Sequence, residues 1–588
     1  MRLRSSGNSH EEKRPPRKRH KVEIEEVWTQ GILDAGAKIW SIDLSEKRFQ
    51  PILTPPSDSK FGDAACGVAF RLARDLKKAP KAIAEELVGA LPDLPGLAKV
   101  EVAGAGYLNF QASTEFHADT IKRIRSESEK YGRSPFGNGR RVLVEHCSAN
   151  PTGPLHVAHG RQAAIGDALS NLLDFAGYDV DREYYVNDTG GQIENLGKSI
   201  LKRMYEKAGR DYPDAENLYQ GEYIIDIAET ILEKDGEKVL ERPDAETYCG
   251  TIGKERLLDA IKKDLLAFRV QFDTWFSQEG LETGGAVDTI LDIYRKNNQL
   301  FEKDGATWFT SKDHGDVENK VLIKTDGKFT YRTPDLAYHK DKFDRGYEIL
   351  IDLYGPDHHA HIGTMKAGLR MLGFDMEPLE KGSGQTFEVL IVQYCKLLRD
   401  GVEVKMSKRA ASYVTLEELM EEVGVDAARY FFLMRKTNTP LEFDIEVAKK
   451  KTLENPVYYS QYAHARICSI LAKGREKEMI EEADIKDGVW MGDFSTEDLG
   501  PNEIELVRAC RGIRRTVETA ARNLDVAILT DFVSHLSGAF QRYYQKQENT
   551  VLDENEPARR ARLAACSSVQ VVLRNVFRIL DISAPERL

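Results

Sequence analysis

The stretch Arg141-Val142-Leu143-Val144-Glu145, followed by Ser148-Ala149-Asn150-Pro151-Thr152-Gly153-Pro154 and then Leu155-His156-Val157-Ala158-His159, decides how the rest of the chain is read. Its first five residues are a short apolar run of the kind buried in a parallel sheet. The Pro/Gly-rich loop ends that run, and apolar periodicity from Leu155 to Phe175 predicts a long helix. His156 and His159 fall at i and i+3 of its first turn and share one face. Backbone N–H groups there lack a partner within the helix and carry the positive end of its dipole, an environment that favours a phosphate.

His-x-x-His also fits a metal pair or two surface histidines. A catalytic metal usually has a third protein ligand, and no Cys-x-x-Cys is present to complete a structural zinc site. Asp357-His358-His359-Ala360-His361 could offer ligands, but it follows the strand-like run Tyr347 to Leu353, where a parallel sheet gathers its substrates. No metal is therefore assigned to protein side chains. Lys405-Met406-Ser407-Lys408 lies between the strand-like Phe387 to Val392 and the helical Leu416 to Val423, at another loop of the same sheet. Gly191 through Ser199 ends like a P-loop, but five residues separate Gly191 from Gly197 where the loop needs four.

Strand and helix patterns alternate from Arg140 to about Met434, which predicts a doubly wound parallel sheet, an α/β catalytic body taken to span 140–448. Within it, about Glu194 to Gly315 is charged and helical and reads as an insertion. Residues 22–114 mix helix and strand as a separate α+β domain, 115–139 read as a linker, and 449–588 as an all-α bundle. Met1 to Lys21 is basic and Pro-containing and reads as a disordered tail. The chain has 588 residues, 41% of them hydrophobic, enough for several cores. No apolar run reaches membrane-spanning length and no secretory signal opens the chain, so a cytoplasmic location is expected. Seven cysteines without paired spacing suit a reducing compartment. The net charge of −12 argues mildly against a nucleic-acid partner, although Arg508, Arg511, Arg515 and Arg522 fall on one helical face.

The histidine and lysine runs together resemble the signature pair of class I aminoacyl-tRNA synthetases, and the sequence around them resembles arginyl-tRNA synthetases of the bacterial type. The likeness runs through Val144-Glu145 with Ser148 to Val157, Tyr185-Val186-Asn187-Asp188, Tyr331 to Tyr338, Gly355 to His359, Lys405 to Ala410 and Asp426 to Arg429. It continues through Glu454 to Tyr459, Gln461 to Ile467 and the terminal Ile582 to Arg587. The resemblance implies a Rossmann-type catalytic domain, an amino-terminal domain that contacts tRNA, and an anticodon-binding helical bundle. It implies arginine activation by ATP with Mg²⁺, no structural zinc, transfer to tRNA(Arg), and a monomer.

Residue by residue, the resemblance implies phosphate contacts from His156, His159, Lys405 and Lys408, and nucleotide contacts from Gly355, Asp357 and His358. Glu145, Asn150, Tyr331, Asp335 and Gln192 match positions for arginine, a planar cation that calls for carboxylates in a partly dry cleft. Tyr459, Gln461, Tyr462 and Arg466 are the candidates for unpaired tRNA bases, which proteins read by stacking and hydrogen bonding. Ala158 and Ala411 stand where the family pattern commonly has glycine. A class I ligase for another amino acid, or a catalytically silent RNA-binding relative, are the alternatives of other kinds.

Overall fold

The structure, a computed structural model, describes residues 24–588 apart from 41–43, 45, 47, 57, 214, 217, 359, 360 and 405–413. The tail expected over Met1 to Lys21 and the run Lys405 to Ala411 therefore lie outside the described residues. The chain divides into two compact units, residues 1–120 with 495–508, and residues 121–494 with 509–588.

In the first unit, helices α1 (Ile24–Trp40), α2 (Val68–Leu76) and α3 (Pro80–Ala90) accompany an antiparallel sheet of β1 (Leu53–Thr54), β2 (Ala64–Cys66), β3 (Leu97–Ala103) and β4 (Tyr107–Ala112), in the order β1-β2-β4-β3. β4 alternates buried and more exposed residues, the period-2 pattern of a sheet with one covered face. Trp28 stacks on Phe110 at 5.5 Å in its core. Arg508 grips buried Asp63 through Nε at 2.9 Å and Nη2 at 3.0 Å. That arginine, read from the sequence as part of one basic face, thus has an internal carboxylate. The expected single helix is also two, because Gly512 separates Pro501–Arg511 from Ile513–Asn523.

The second unit begins in α4 (Thr114–Glu127), a helix where the sequence suggested a linker. Then follow β5 (Arg141–Glu145), α5 (Val157–Phe175), β6 (Asp179–Val186), α6 (Gly191–Lys207), α7 (Glu222–Asp235), α8 (Ala245–Ala267) and β7 (Thr274–Ser277). After α9 (Gln278–Thr283) and α10 (Ala286–Lys296) come β8 (Leu300–Lys303), β9 (Ala306–Phe309) and β10 (Lys320–Ile323), an antiparallel sheet of its own. α11 (Arg332–Asp344), β11 (Ile349–Tyr354), α12 (His361–Met371) and β12 (Thr386–Ile391) complete the main sheet. Its five strands are parallel in the order β12-β11-β5-β6-β7, so successive connections wind outward in both directions from β5. The segment read as one insertion is therefore two. α6 to α8 pack on their own core of Leu196, Ile200, Met204, Ile227 and Cys249, and β7 returns to the sheet before the second excursion begins.

Beyond β12, a small sheet of β13 (Cys395–Arg399), β14 (Val402–Glu403) and β15 (Leu441–Asp444) brackets α13 (Leu416–Val423) and α14 (Val425–Leu433) in sequence, and α15 (Ile445–Lys449) follows β15. The remainder comprises α16 (Pro456–Glu476), the hairpin strands β16 (Ile485–Lys486) and β17 (Val489–Trp490), α17 (Pro501–Arg511), α18 (Ile513–Asn523), α19 (Ala527–Gln545) and α20 (Glu556–Leu580). α20 is, against the expectation from sequence, long and apolar enough to cross a membrane. Its apolar window is 89% buried, however, and Val569, Val572, Leu573, Val576 and Phe577 make it a core helix.

Fully buried Arg429 of α14 ties α5, the end of α8 and α20 together. Its guanidinium donates to Asp167 Oδ2 on α5 at 2.6 Å, to the Phe268 carbonyl at 3.0 Å and to the Leu580 carbonyl at 3.2 Å. Removing a buried cation strands its carboxylate and carbonyls, so Arg429→Leu should cost about 3–5 kcal/mol in chemical unfolding. Asp167→Asn combined with Arg429→Leu should cost less than the sum of the two single substitutions.

Candidate active site

A parallel sheet wound in both directions leaves a crevice at the carboxyl ends of the strands where the winding diverges, here between β5 and β11. Glu145, the last residue of β5, is in register with Asp352 of β11 on one side and Glu183 of β6 on the other. Residues paired in this way point to the same face, so three acids stand in a row. None is more than 8% exposed, and three desolvated carboxylates side by side require partners.

α11 supplies them from one face. Arg345 clasps Glu183 with two hydrogen bonds of 2.6 and 2.9 Å, and the Tyr338 hydroxyl adds a third at 2.7 Å. Lys342, wholly buried, donates to Glu145 Oε2 at 2.6 Å and to Asp352 Oδ1 at 3.0 Å. His339, also wholly buried, lies 2.7 Å from Asp352 Oδ2 through Nε2. Its Nδ1 is 2.8 Å from the Asp335 carbonyl and 3.1 Å from Asp335 Oδ1. Both ring nitrogens thus face only acceptors, so both carry protons and the ring is an imidazolium. Burial and the Lys342 charge oppose that proton, but Asp352 and Asp335 outweigh them and raise His339 to about 10. Burial likewise pushes the Glu145 carboxyl up against the pull of Lys342, whereas Asp352, equally buried, is held down by Lys342 and His339.

Asp335, in the first turn of α11, has a side chain one-quarter exposed. His361, opening α12, lies with Nε2 2.5 Å from its other oxygen, and the Tyr331 ring is 5.1 Å from the His361 ring. Despite burial, the charges and hydrogen bonds of His339 and His361 hold Asp335 well below the usual carboxylate range. Asp335 is linked to Glu145 through buried side chains, by way of His339, Asp352 and Lys342. After Glu145 comes a strained turn in which Cys147 and Ser148 adopt φ of 68° and 32°, left-handed values that cost a non-glycine residue about 1–2 kcal/mol each. Ser148 Oγ braces it by donating to Glu145 Oε1 at 3.0 Å and accepting from the Tyr185 N–H at 3.1 Å. Asn150 is half-buried just beyond, and its carboxamide makes no hydrogen bond to the described residues. Tyr331 is 59% exposed, and Gln192 is exposed in the first turn of α6.

At the other end of the crevice, His156 is the residue before α5 and His159 lies in its first turn, because the helix starts two residues later than the Leu155 read from sequence. The rings stack at 3.7 Å, and the His156 N–H donates to His159 Nδ1 at 3.4 Å. Ala158 is exposed. Buried Arg161, one turn further, donates to the carbonyls of Gln393 and Thr439 at 2.8 and 3.0 Å and so fixes two loops against the helix start. His156 bridges to Thr415, and the Leu416 N–H donates to the Leu155 carbonyl at 2.9 Å. The segment that follows residues 405–413 is thereby fastened beside the two imidazoles, while Lys405 and Lys408 themselves lie outside the described residues. Gly355 follows β11 with ordinary backbone angles, and a Cβ there would meet only Gln162 Nε2 at 3.9 Å, so no protein contact demands glycine. Asp357 is exposed and accepts from the Tyr394 hydroxyl at 3.4 Å; the His358 side chain lies outside the description.

The helical region separates its four candidates. Tyr459, Tyr462 and Arg466 are half-buried on α16, and the Arg466 guanidinium lies 4.8 Å from the Tyr462 ring and 5.4 Å from Tyr544. Gln461 is 6% exposed and spends its amide on Asp426 Oδ2 at 2.8 Å and the Ser583 carbonyl at 3.0 Å, a role in fastening the chain terminus. His339, Lys342 and Asp352 were not among the residues singled out from sequence, although Asp335, His339 and Lys342 share one helical face by spacing alone.

Three family patterns match the chain. "Arginyl tRNA synthetase N terminal domain" covers residues 26–112, "tRNA synthetases class I (R), catalytic domain" residues 120–468, and "DALR anticodon binding domain" residues 460–588. The arginine–tRNA ligase of Shouchella clausii is 42% identical over 91% of this chain and 94% of its own length, as is that of Bacillus subtilis. The solved arginyl-tRNA synthetase of Thermus thermophilus is similar in fold, with a TM-score of 0.72 at 22% identity over 96% of this chain and 100% of its own.

The raised His339 has a sign that can be tested. An ordinary unfolded histidine titrates near about 6.5, so the stabilisation from its charge is complete below that pH and is lost as pH rises through about 10. In thermal unfolding, the Tm gap between the unaltered chain and His339→Asn should therefore narrow from about pH 7 to about pH 10.

Proposed function

Because the chain belongs to the arginine–tRNA ligase family of class I tRNA synthetases, we propose that it joins L-arginine to ATP, forming arginyl-adenylate and pyrophosphate, and then transfers arginine to the terminal adenosine of tRNA(Arg). The observation that carries this reading is the buried ion-pair chain that links Glu145, at the carboxyl end of β5, to Asp335, at the head of α11, beside the crevice that the His156/His159 helix start also follows. The arginine carboxylate attacks the α-phosphorus in line, and pyrophosphate leaves. Such transfers are accelerated by positioning and by neutralising the phosphoryl oxygens, with no protein nucleophile. His156 and His159 donate to the phosphates from the start of α5, and Lys405 and Lys408 close on the β and γ groups. Gly355, Asp357 and His358 hold the nucleoside. Asp335, Glu145, Tyr331 and Gln192 receive the guanidinium end, and Asn150 receives the α-amino group.

Mg²⁺ accompanies ATP. It would be held mainly by the phosphate oxygens and would supply charge neutralisation there. In the helical region, Tyr459, Tyr462 and Arg466 contact unpaired tRNA bases, with Gln461 behind them. The enzyme works in the cytoplasm as a monomer, without a membrane.

ATP–pyrophosphate exchange with tRNA(Arg) present tests the reading: arginine should support it, while lysine and methionine should not. Asp335→Asn should lower kcat/KM for arginine by about 10²-fold or more, the cost of removing one member of a desolvated ion pair. His156→Ala should lower kcat by about 10²-fold, as loss of one transition-state donor does. Exchange indifferent to arginine would reject the assignment.

A further inference from the structure

At the end of the main sheet opposite the crevice lies a second, mostly enclosed cavity of about 110 Å³. Arg140 precedes β5 there, Tyr178 precedes β6, Gly382 precedes β12, and Arg522 arrives from the last turn of α18. Among the described residues that line it are two guanidiniums and no acid. The turn from Phe136 to Arg140 lies flat on Tyr178, since a Cβ on Gly137 would stand 2.4 Å from Tyr178 Cγ. Tyr178 is 8% exposed, yet its hydroxyl makes no hydrogen bond to the described residues. A buried hydroxyl left so is costly unless something in the cavity meets it. Burial raises its pKa against the pull of Arg140 and Arg522, so at neutral pH it keeps its proton and can donate.

The guanidiniums also have donors to spare. Arg140, 9% exposed, gives Nη2 to the Gly384 carbonyl at 2.6 Å and Nε to Glu348 at 3.4 Å, while its Nη1 has no partner among the described residues. Arg522 is exposed, lies 5.0 Å from the Phe136 ring and pairs with no acid among the described residues. Glu518, one turn earlier on α18, is taken by the Ser134 hydroxyl at 2.5 Å and by Arg514 Nε at 3.2 Å.

We infer that this cavity binds a phosphate group, held by Arg140, Arg522 and the Tyr178 hydroxyl. Its volume is the share of about three or four waters at about 30 Å³ each, which fits one tetrahedral oxyanion and excludes a nucleoside. Guanidinium forks match phosphate oxygens in geometry and charge, and the Phe136 ring holds one of them in place. The group comes from free phosphate or from a phosphodiester of tRNA that reaches exposed Arg522, and the donors it meets are the same. Only the tRNA source rests on the functional reading above.

Equilibrium dialysis of the full chain against inorganic phosphate, and tRNA(Arg) binding measured across a KCl series, test the site together. Arg522→Gln and Tyr178→Phe each remove one donor, the first at the surface and the second without change of shape, so neither should disturb the fold. With free phosphate as the source, the unaltered chain should hold one phosphate that each variant binds about tenfold more weakly. With tRNA as the source, both variants should weaken tRNA(Arg) binding by about threefold or more, and Arg522→Gln alone should flatten the slope of log K against log salt by about one. In both cases the KM values for arginine and ATP at saturating tRNA(Arg) should stay within about twofold, because the cavity and the crevice lie at opposite ends of the sheet. Binding of phosphate and of tRNA that neither variant alters overturns the inference and leaves the cavity to water. A loss confined to Arg522→Gln overturns it too, since any exposed charge would produce that. A chain without arginine-dependent exchange would instead overturn the functional reading, and phosphate dialysis would still decide the cavity.

Discussion

Three acids side by side across the ends of β6, β5 and β11 are the constraint on which the catalytic unit depends. Carboxylates this deeply buried would either take up protons or drive the strands apart unless compensated at once. One helix does this, because α11 presents His339, Lys342 and Arg345 at intervals of three residues, close to the helical repeat and matched to the spacing of adjacent strands. The helix is thereby indexed on the sheet. Its other face packs Leu336, Ala337 and Phe343 among Leu143, Leu350 and Phe387, so the apolar core and the charge row fix the same register. Asp335, at the head of the same helix, is delivered to the crevice as a consequence.

One buried cation elsewhere in the unit follows a different rule. Arg161 is satisfied by carbonyls of Gln393, Tyr394, Lys436 and Thr439, with no carboxylate hydrogen-bonded to it. Burial depresses its pKa, though not enough to discharge a guanidinium whose ordinary value is above about 12. It works as a cross-link of fixed geometry, binding the start of α5 to the loops beside it. The bridge between His156 and Thr415 adds a backbone tie at the same place. The helix start that is proposed to receive phosphate is therefore held from both sides by groups that take no part in binding.

The main sheet was legible because its strands β5 and β11 are continuous apolar runs bounded by turn residues, and α5 because its periodicity is long. β7 was hidden. Its residues Thr274 to Ser277 form a short, half-buried edge strand that resembles the charged helices around it more than a sheet core. The helix over 114–127 reads as a linker in sequence because its apolar face is narrow, and the break at Gly512 is silent there because the apolar spacing continues on either side. In the site, His156 and His159 could be read together because they are neighbours in sequence. Glu145 and Asp335 came from family resemblance alone. The links among Asp335, Asp352 and Glu145 could not be read, since they depend on which strands pair and in what register.

An array of buried charge next to a strained turn at Cys147 and Ser148 is expensive for a fold of marginal stability. The site's geometry explains why such an arrangement is nevertheless coherent. Replacing Glu145, Lys342 and Asp352 with apolar residues of similar size would relieve the desolvation, yet it would leave Asp335 without the His339–Asp352 brace that holds its carboxylate in place. A carboxylate free to rotate would lose orientation in binding a planar ligand. Stability and selectivity therefore draw on the same side chains, and a change that improves one by neutralising the row should erode the other. The outer pair, Glu183 with Arg345, is joined by two hydrogen bonds to a cation that no other acid of the row shares, and Arg345 also reaches Asp341 at 2.8 Å. It marks where the structural part of the row ends and the part facing the crevice begins.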